Sequence, residues 1–450
     1  MSAENGISHA LELAQYAVDA ALRAGASQAE ATLSIGDRFS CEARGSAVTK
    51  LEQSRSRSLH VRVFVGERKA VLSTTDLELP GIQAAAAAAV VQARCVADDP
   101  YAGLPEPCAG DAAGEGELDL FSQDVAAREA QDKLDEALEL ERRIRERDRR
   151  ILNSNGSHVG DTVATTALVN SRGFSGAYRS TRAHRSSSPV AVEGSTKRTG
   201  SYGTAARKLA DLEDAGAVAS KAVERAVSLF GARKPRTMRV PVIFERDVAA
   251  SVLSDLFAAL SASNAAVGNS WLAGRTGDRI GSDLVTIVDD GTLPGHLGSS
   301  PFDGEGVATR RTTVFERGTL RSLLYDTYYA RKLGAVSTGN AGGGAIAPNN
   351  FYLEAGNGSL DDLIARTPKA ILVLETIGFA TEHASGTYSR GARGFAIEGG
   401  AIAYPVEEFT IASTFGEMLA GIDAVAGDLR FDGSVVSPSF RVSEMTISGE

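Results

Sequence analysis

The sequence predicts an α+β fold in two parts. An N-terminal α+β domain with an antiparallel sheet and packed helices is expected over 1–235, and a mainly-β C-terminal domain with one long amphipathic helix over 236–450. Three observations lead there. The chain has 450 residues, more than one hydrophobic core usually serves. Its first half interleaves helix-period segments with strand-like alternation. Its second half is one amphipathic helix followed by short β-rich runs with Gly-rich connections. The short basic stretch "GARKPRTM" (231–238) is the expected boundary.

Residues 7–24 place Ile7, Leu11, Ala14, Val18, Ala21 and Leu22 at helical spacing, and Gly25 stands where a helix stops. "LHVRVFV", "GERK" and "AVLST" (59–73) read as a hairpin around a short polar turn. Residues 80–97 are helical in pattern, with Pro80 suited to a first turn. A long surface loop is expected over 97–119, then a helix over 124–147 whose mixed-charge end, "LERRIRERDRR", reads as a solvated face held by i,i+4 pairs. Antiparallel strands are expected over 158–202 and a helix over roughly 204–230. In the second half, "RVPVIF" (239–244) reads as a buried strand and 246–263 as an amphipathic helix. "VFERGTLRSLL" and "FAIEGGAIAYPV" read as hairpins.

Composition removes several function classes. The net charge of −10 argues against a nucleic-acid partner, because phosphate binding needs clustered positive charge. Arg179, Arg182, Arg185, Lys197 and Arg198 read as solvated strand faces. Cys41, Cys95 and Cys108 give neither a disulfide framework nor a thiolate metal site. No secretory leader or bilayer-spanning run is readable, so a cytoplasmic protein without membrane contact is expected. There is no P-loop and no G-x-S-x-G. The six histidines are scattered, with no H-E-x-x-H pair, and no metal site is expected.

The candidate site lies in the Gly-rich second half. "STGNAGGGAIAPNN" (337–350), with Asn340, Gly342 and Gly343, must be a loop. It is either a flexible connector or a place where main chain approaches a ligand closely. "TYSRGARGF" puts Tyr388, Arg390 and Arg393 on a strand-to-turn segment. The two arginines are placed to clamp a carboxylate or to pair with Glu398, Glu407 or Glu408. "VDDG" and "FDGEG" offer Asp289, Asp290, Asp303 and Glu305 either as turn residues or as carboxylates for a divalent cation.

"EGVATRRTTVFERGTLRSLLYDTYYARKLGAVSTGNAGG" (305–343) and "GTYSRGARGFAIEGGAIAYPVEEFTIAS" (386–413) resemble the TldD/PmbA family, and more narrowly its PmbA branch, also called TldE. Weaker similarity covers most of the chain. The resemblance implies membership of a heterodimeric zinc metalloprotease that trims leader segments from modified-peptide precursors and degrades unfolded peptides. Older naming of this branch is modulator of DNA gyrase.

In the family the catalytic subunit carries His-Glu-x-x-x-His on a helix and a later Cys. An ungapped alignment from "PVIF" puts Ser254, Asp255 and Ala259 at the helix positions and Arg390 at the Cys position. Such a set does not hold zinc, which takes three N, S or O ligands. The resemblance therefore implies no catalytic residue and no cofactor in this chain. Zinc is expected in a TldD-like partner, and Arg390, Arg393, Tyr388, Asn340, Gly342, Gly343 and Glu398 are expected at a peptide cavity or interface. Two alternatives stay open: a homodimeric hydrolase using the acidic residues, and a peptide-binding regulatory module without protease activity.

Overall fold

A computed structural model describes residues 3–106 and 117–450; Cys108 and the middle of the expected 97–119 loop lie outside them. The first half runs α1 (Ala3–Arg23), β1 (Gln28–Arg44), β2 (Ala47–Val65), β3 (Arg68–Thr74), α2 (Leu79–Arg94), α3 (Gln123–Ala126), α4 (Ala130–Arg147), β4 (Ile151–Asn170), β5 (Ser175–Glu193), β6 (Thr196–Thr199), β7 (Tyr202–Ala206) and α5 (Ala215–Val227). Its seven strands form one antiparallel sheet in the order β3-β2-β1-β4-β5-β6, with β7 also on β5. The sequence places the helix at 204–230 too early. Residues 202–206 are strand, because Ala183 to Ser187 of β5 offer them a paired edge, and the helix begins at Ala215 behind the Asp214 cap.

Helices cover one face of this sheet only. α1 and α2 bring Ala14, Ala17, Ala21, Ala86 and Ala89 against Leu33, Val61 and Ala167, where small side chains let helix and sheet approach closely. α4 and α5 continue the cover with Ala137, Leu140 and Ala222 on Phe39 and Val159. The charged end of α4 carries Arg142 and Arg143 on Glu139, as the pattern predicts. The basic strand residues divide differently from the expectation. Arg182 and Lys197 are exposed, but Arg185 is largely buried and pairs with Glu136, and Arg198 pairs with Glu407 across the two halves.

Register fixes what the uncovered face presents. Ser34 lies opposite Thr166, which lies opposite Tyr178; Thr32 lies opposite Leu168; Ala164 lies opposite Ser180. Directly opposed residues share a face, so these rows build a hydroxyl-rich wall. Glu30 and Arg62 end the same wall and are ion-paired across β1 and β2.

The second half runs β8 (Met238–Phe244), α6 (Arg246–Leu260), α7 (Ala262–Ala266), β9 (Ile287–Asp290), β10 (Arg311–Glu316), β11 (Thr319–Leu320), α8 (Thr327–Leu333), β12 (Phe351–Leu353), α9 (Leu360–Ala365), β13 (Lys369–Glu382), β14 (Thr387–Glu398), β15 (Ala401–Thr414), α10 (Phe415–Gly421), β16 (Ile422–Val425), β17 (Val435–Val436) and β18 (Phe440–Ser448). One sheet is β11-β10-β9-β12-β17. The other, β15-β14-β13-β8-β18-β16, curls until β15 also meets β18. α6 packs within the core they share, through Val248, Val252, Leu256 and Leu260 on Phe244, Phe315 and Phe351. Close packing at β14 requires glycine: a Cβ on Gly394 would lie 1.8 Å from the Leu372 carbonyl oxygen.

The uncovered wall of the first half faces loops of the second. Phe302 packs edge-on against Phe174 and Tyr178, with ring centroids 5.0 and 5.3 Å away. Arg62 donates to Glu305 as well as to Glu30. Among the described residues no helix is long and apolar enough to cross a membrane.

Candidate functional site

The structure brings three of the singled-out residues together. Asp255 leaves α6 toward β14, where the Arg390 Nη2 donates to its Oδ2 at 2.5 Å. Thr381 of β13 donates to the same oxygen at 3.2 Å. Arg390 Nη1 donates to the Gly378 carbonyl, which the register shift between Ile377 and Ala380, with Gly378 at φ +87°, turns toward it. Tyr388, two residues earlier on the same face, is 1% exposed and stacks edge-on with Phe415. Burial pushes its phenol well above the ordinary range, the Asp255 carboxylate adds to this, and Arg390 opposes it.

Arg390 and Arg393 sit within strand β14, not on a strand-to-turn segment, since the turn comes later at Gly399 and Gly400. Their partners also differ from those expected. Arg393 donates to Glu375, directly opposite on β13. Glu407 is taken by Arg198, and Glu398 accepts only a long 3.5 Å bond from Tyr404 at the hairpin end. Neither arginine presents an unengaged fork to a ligand carboxylate.

The other aligned metal positions diverge. Ser254 is exposed, and Ala259 is 0% exposed in the core. The donor chemistry of this set is wrong for zinc. The metal would find one carboxylate already held by a guanidinium, one exposed hydroxyl and one buried methyl. Three lone-pair donors plus a water are needed, and a guanidinium beside the site repels a cation. The residues do not fit the metal. Among the described residues, no group of three or more His, Cys, Asp or Glu is placed to hold one.

Asn340, Gly342 and Gly343 lie elsewhere, on the loop over the hydroxyl-rich wall. This loop is pinned. Asp289, 0% exposed, accepts from the Asn349 N–H at 2.8 Å, from Asn340 Nδ2 at 2.7 Å and from Asn349 Nδ2 at 2.9 Å. Asp303 accepts the N–H groups of Glu305, Val307 and Ala341 at 2.9 to 3.0 Å. Burial raises Asp289 to about 6 against the donors' pull, and raises Asp303 to about 7 with the Glu305 charge adding to it. Glu305 itself is held below the ordinary range: burial raises it, and Arg62 with the Thr327 donors outweighs that. Asp289, Asp303 and Glu305 are thus spent on N–H donors and on Arg62, so they do not converge as oxygen ligands for a cation.

Loop, wall and the segment 297–300 line a cavity of about 480 Å³, open on one side, that Arg207 also lines. Sequence reading missed Arg207 and the Arg62 bridge. A charged residue inside the apolar alternation of "LHVRVFV" signals the second; nothing local signals the first.

The chain matches the PmbA/TldA metallopeptidase domain 1 over residues 29–93, the central domain over 124–230 and the C-terminal domain over 237–449. It is 33% identical to the metalloprotease PmbA homolog of Haemophilus influenzae, covering 96% of this chain and 95% of that one. It is also 33% identical to metalloprotease PmbA of Escherichia coli O157:H7, covering 99% and 96%. Among solved structures, a putative modulator of DNA gyrase from Bacteroides thetaiotaomicron superposes with a TM-score of 0.91 at 27% identity over 98% of both chains. TldE from Thermococcus kodakarensis shares the fold, with a TM-score of 0.86 at 22% identity over 97% of this chain and 100% of that one. The chain belongs to the TldD/PmbA metallopeptidase family.

Proposed function

We propose that this chain is the non-catalytic, PmbA/TldE-type subunit of a heterodimeric zinc metalloprotease acting on unfolded peptides or on leader segments of modified-peptide precursors. The observation that carries the reading is the Asp255–Arg390 ion pair, with Ser254 turned to solvent and Ala259 in the core. A carboxylate neutralised by a guanidinium neither binds a hydrolytic cation nor acts as a free general base. In this reading the zinc and its activated water belong to a TldD-like partner. This chain supplies wall and interface, including residues 384–413 with their Gly-permitted close approaches.

The test is co-expression with a homologue carrying His-Glu-x-x-x-His, followed by hydrolysis of an unstructured peptide. Activity is expected from the mixed pair and from neither a metal-ligand variant of the partner nor this chain alone. Hydrolysis by this chain alone would overturn the assignment.

A further inference from the structure

Arg207 and Arg331 differ from Arg62, Arg198, Arg225 and Arg430 at the junction of the two halves, since both donate to main-chain carbonyls. Arg331 meets those of Tyr101, Gly103 and Leu104, and of the two only Arg207 lines the cavity under the Gly-rich loop. Arg62, Arg198, Arg225 and Arg430 each pair with a carboxylate there. Arg207, 7% exposed, instead donates to four main-chain carbonyls. Its Nε meets His296 at 3.3 Å, Nη1 meets Thr181 at 3.2 Å, and Nη2 meets Leu297 at 2.9 Å and Ser299 at 3.2 Å. Carbonyl dipoles orient a guanidinium without cancelling its charge. Burial draws its pKa down to about 10, Tyr178 opposes that, and the nearby cation Arg182 adds to it. At neutral pH it remains charged, and among the described residues no carboxylate is paired with it.

A buried charge without a counter-ion is costly, and this one lines a cavity of about 480 Å³. That volume lies within the roughly 300–1,000 Å³ usual for ligand sites. Thr32, Thr166, Tyr178 and Ser180 give one wall hydroxyls, and the main chain around Gly342 and Gly343 gives the other. A Cβ on Gly343 would meet nothing within 4 Å, so the space is open there. The Asp303 oxygens, also on the cavity, are occupied by three N–H groups.

We propose that this cavity is a carboxylate-binding subsite in which Arg207 recognises one carboxylate of an extended peptide, either its C-terminus or an acidic side chain. Four of the five guanidinium N–H groups are engaged, leaving one N–H and one net positive charge. A monoanion matches that remainder, whereas bidentate phosphate needs a free fork. The ligand being a peptide rests on the function proposed above; the subsite being anionic does not.

The test is calorimetry on the full chain alone, at pH 7, with an N-acetylated tetrapeptide of glycine, serine and alanine. It is compared with its C-terminal amide and with an amide carrying one internal glutamate. The free acid should bind at least tenfold tighter than the plain amide. Recovery of affinity by the glutamate-containing amide identifies the side chain as the source, and failure to recover identifies the C-terminus. Arg207→Gln should erase the preference. Ser180→Asp, which keeps Arg207 and its carbonyl partners but adds a fixed carboxylate to the cavity, should erase binding while the melting temperature stays close to wild type. Equal affinity for acid and plain amide, no binding of any peptide, or a preference surviving in Arg207→Gln would overturn the proposal. Hydrolysis on mixing with the catalytic homologue is a separate readout, so either idea can fail without the other.

Discussion

The carboxylates buried around the Gly-rich loop make stability rise as the pH falls from 8 to 6. Asp303 is raised from 3.8 to about 7, Asp289 from 3.8 to about 6 and Glu30 from 4.5 to about 6, burial being the largest cause in each. Facing Asp303 and Glu30 are Glu305 and Arg62, with Asp326 beyond Glu305. A folded-state pKa raised above the unfolded value gives stability that is complete below the unfolded pKa and is lost as the pH climbs through the folded one. Between pH 8 and 6 the unfolded chain keeps these groups ionised while the fold takes up protons, so the fold gains on acidification. Asp303 takes up most of one proton in that window, worth on the order of 1 kcal/mol; Asp289 and Glu30 add less, because half of their uptake lies below pH 6. His184 opposes them. Burial and then Arg182 lower its pKa from 6.5, so its contribution falls as the pH drops and offsets part of the gain. The net gain, on the order of 1 kcal/mol, corresponds to roughly 1–2 °C in Tm for a chain of 450 residues, at about 2.1 cal/mol/K per residue. Differential scanning calorimetry of the wild type and Asp303→Asn at pH 6, 7 and 8 reads it. The variant should lose on the order of 1 kcal/mol of the pH dependence, whatever its absolute stability. A wild-type Tm that falls on acidification, or an unchanged slope in Asp303→Asn, would refute the reasoning.

Three further outcomes follow from the geometry. Arg390→Ala leaves Asp255 largely buried without its cation and should cost about 1–3 kcal/mol in urea unfolding; the Asp255→Ala, Arg390→Ala double variant should lose less than the sum of the singles, since the two act as a pair. Arg62→Met leaves Glu30 and Glu305 facing each other unneutralised and should cost about 3–5 kcal/mol by the same measurement, with Glu305→Gln restoring part of it. Gly394→Ala forces a methyl into the Leu372 carbonyl and should abolish accumulation of folded protein, read by soluble yield and circular dichroism, whereas Gly343→Ala, which meets only open space, should be near neutral.

Local pattern carried most elements into view. The helix at the N-terminus, the hairpin at Gly66 and Glu67, the buried strand before α6 and the hairpin at Gly399 and Gly400 were legible because period and turn residues agree over short spans. Residues 202–206 were not, because Tyr202 to Ala206 form a strand only on the edge that β5 offers, a contact no window around them contains. The site divides in the same way. Alignment put Asp255 and Arg390 at two positions of one metal site, but that they neutralise each other depends on two residues 135 positions apart meeting across α6 and β14. Asp289 and Asp303 read locally as turn formers or as carboxylates for a cation. Their grip on Asn340, Asn349 and Ala341 spans 38 to 60 residues and was invisible to spacing arguments. The cavity around Arg207 is the least legible, since it needs strand register on one side and loop placement on the other.

Metal content puts the central claim to the most direct trial. The chain is purified alone, equilibrated with excess zinc at pH 7 and desalted, and metal is counted by mass spectrometry beside a His-Glu-x-x-x-His homologue treated identically. The account expects far less than one zinc per chain here and close to one in the homologue. One zinc per chain in this protein, lost on mutation of Asp255, would contradict it.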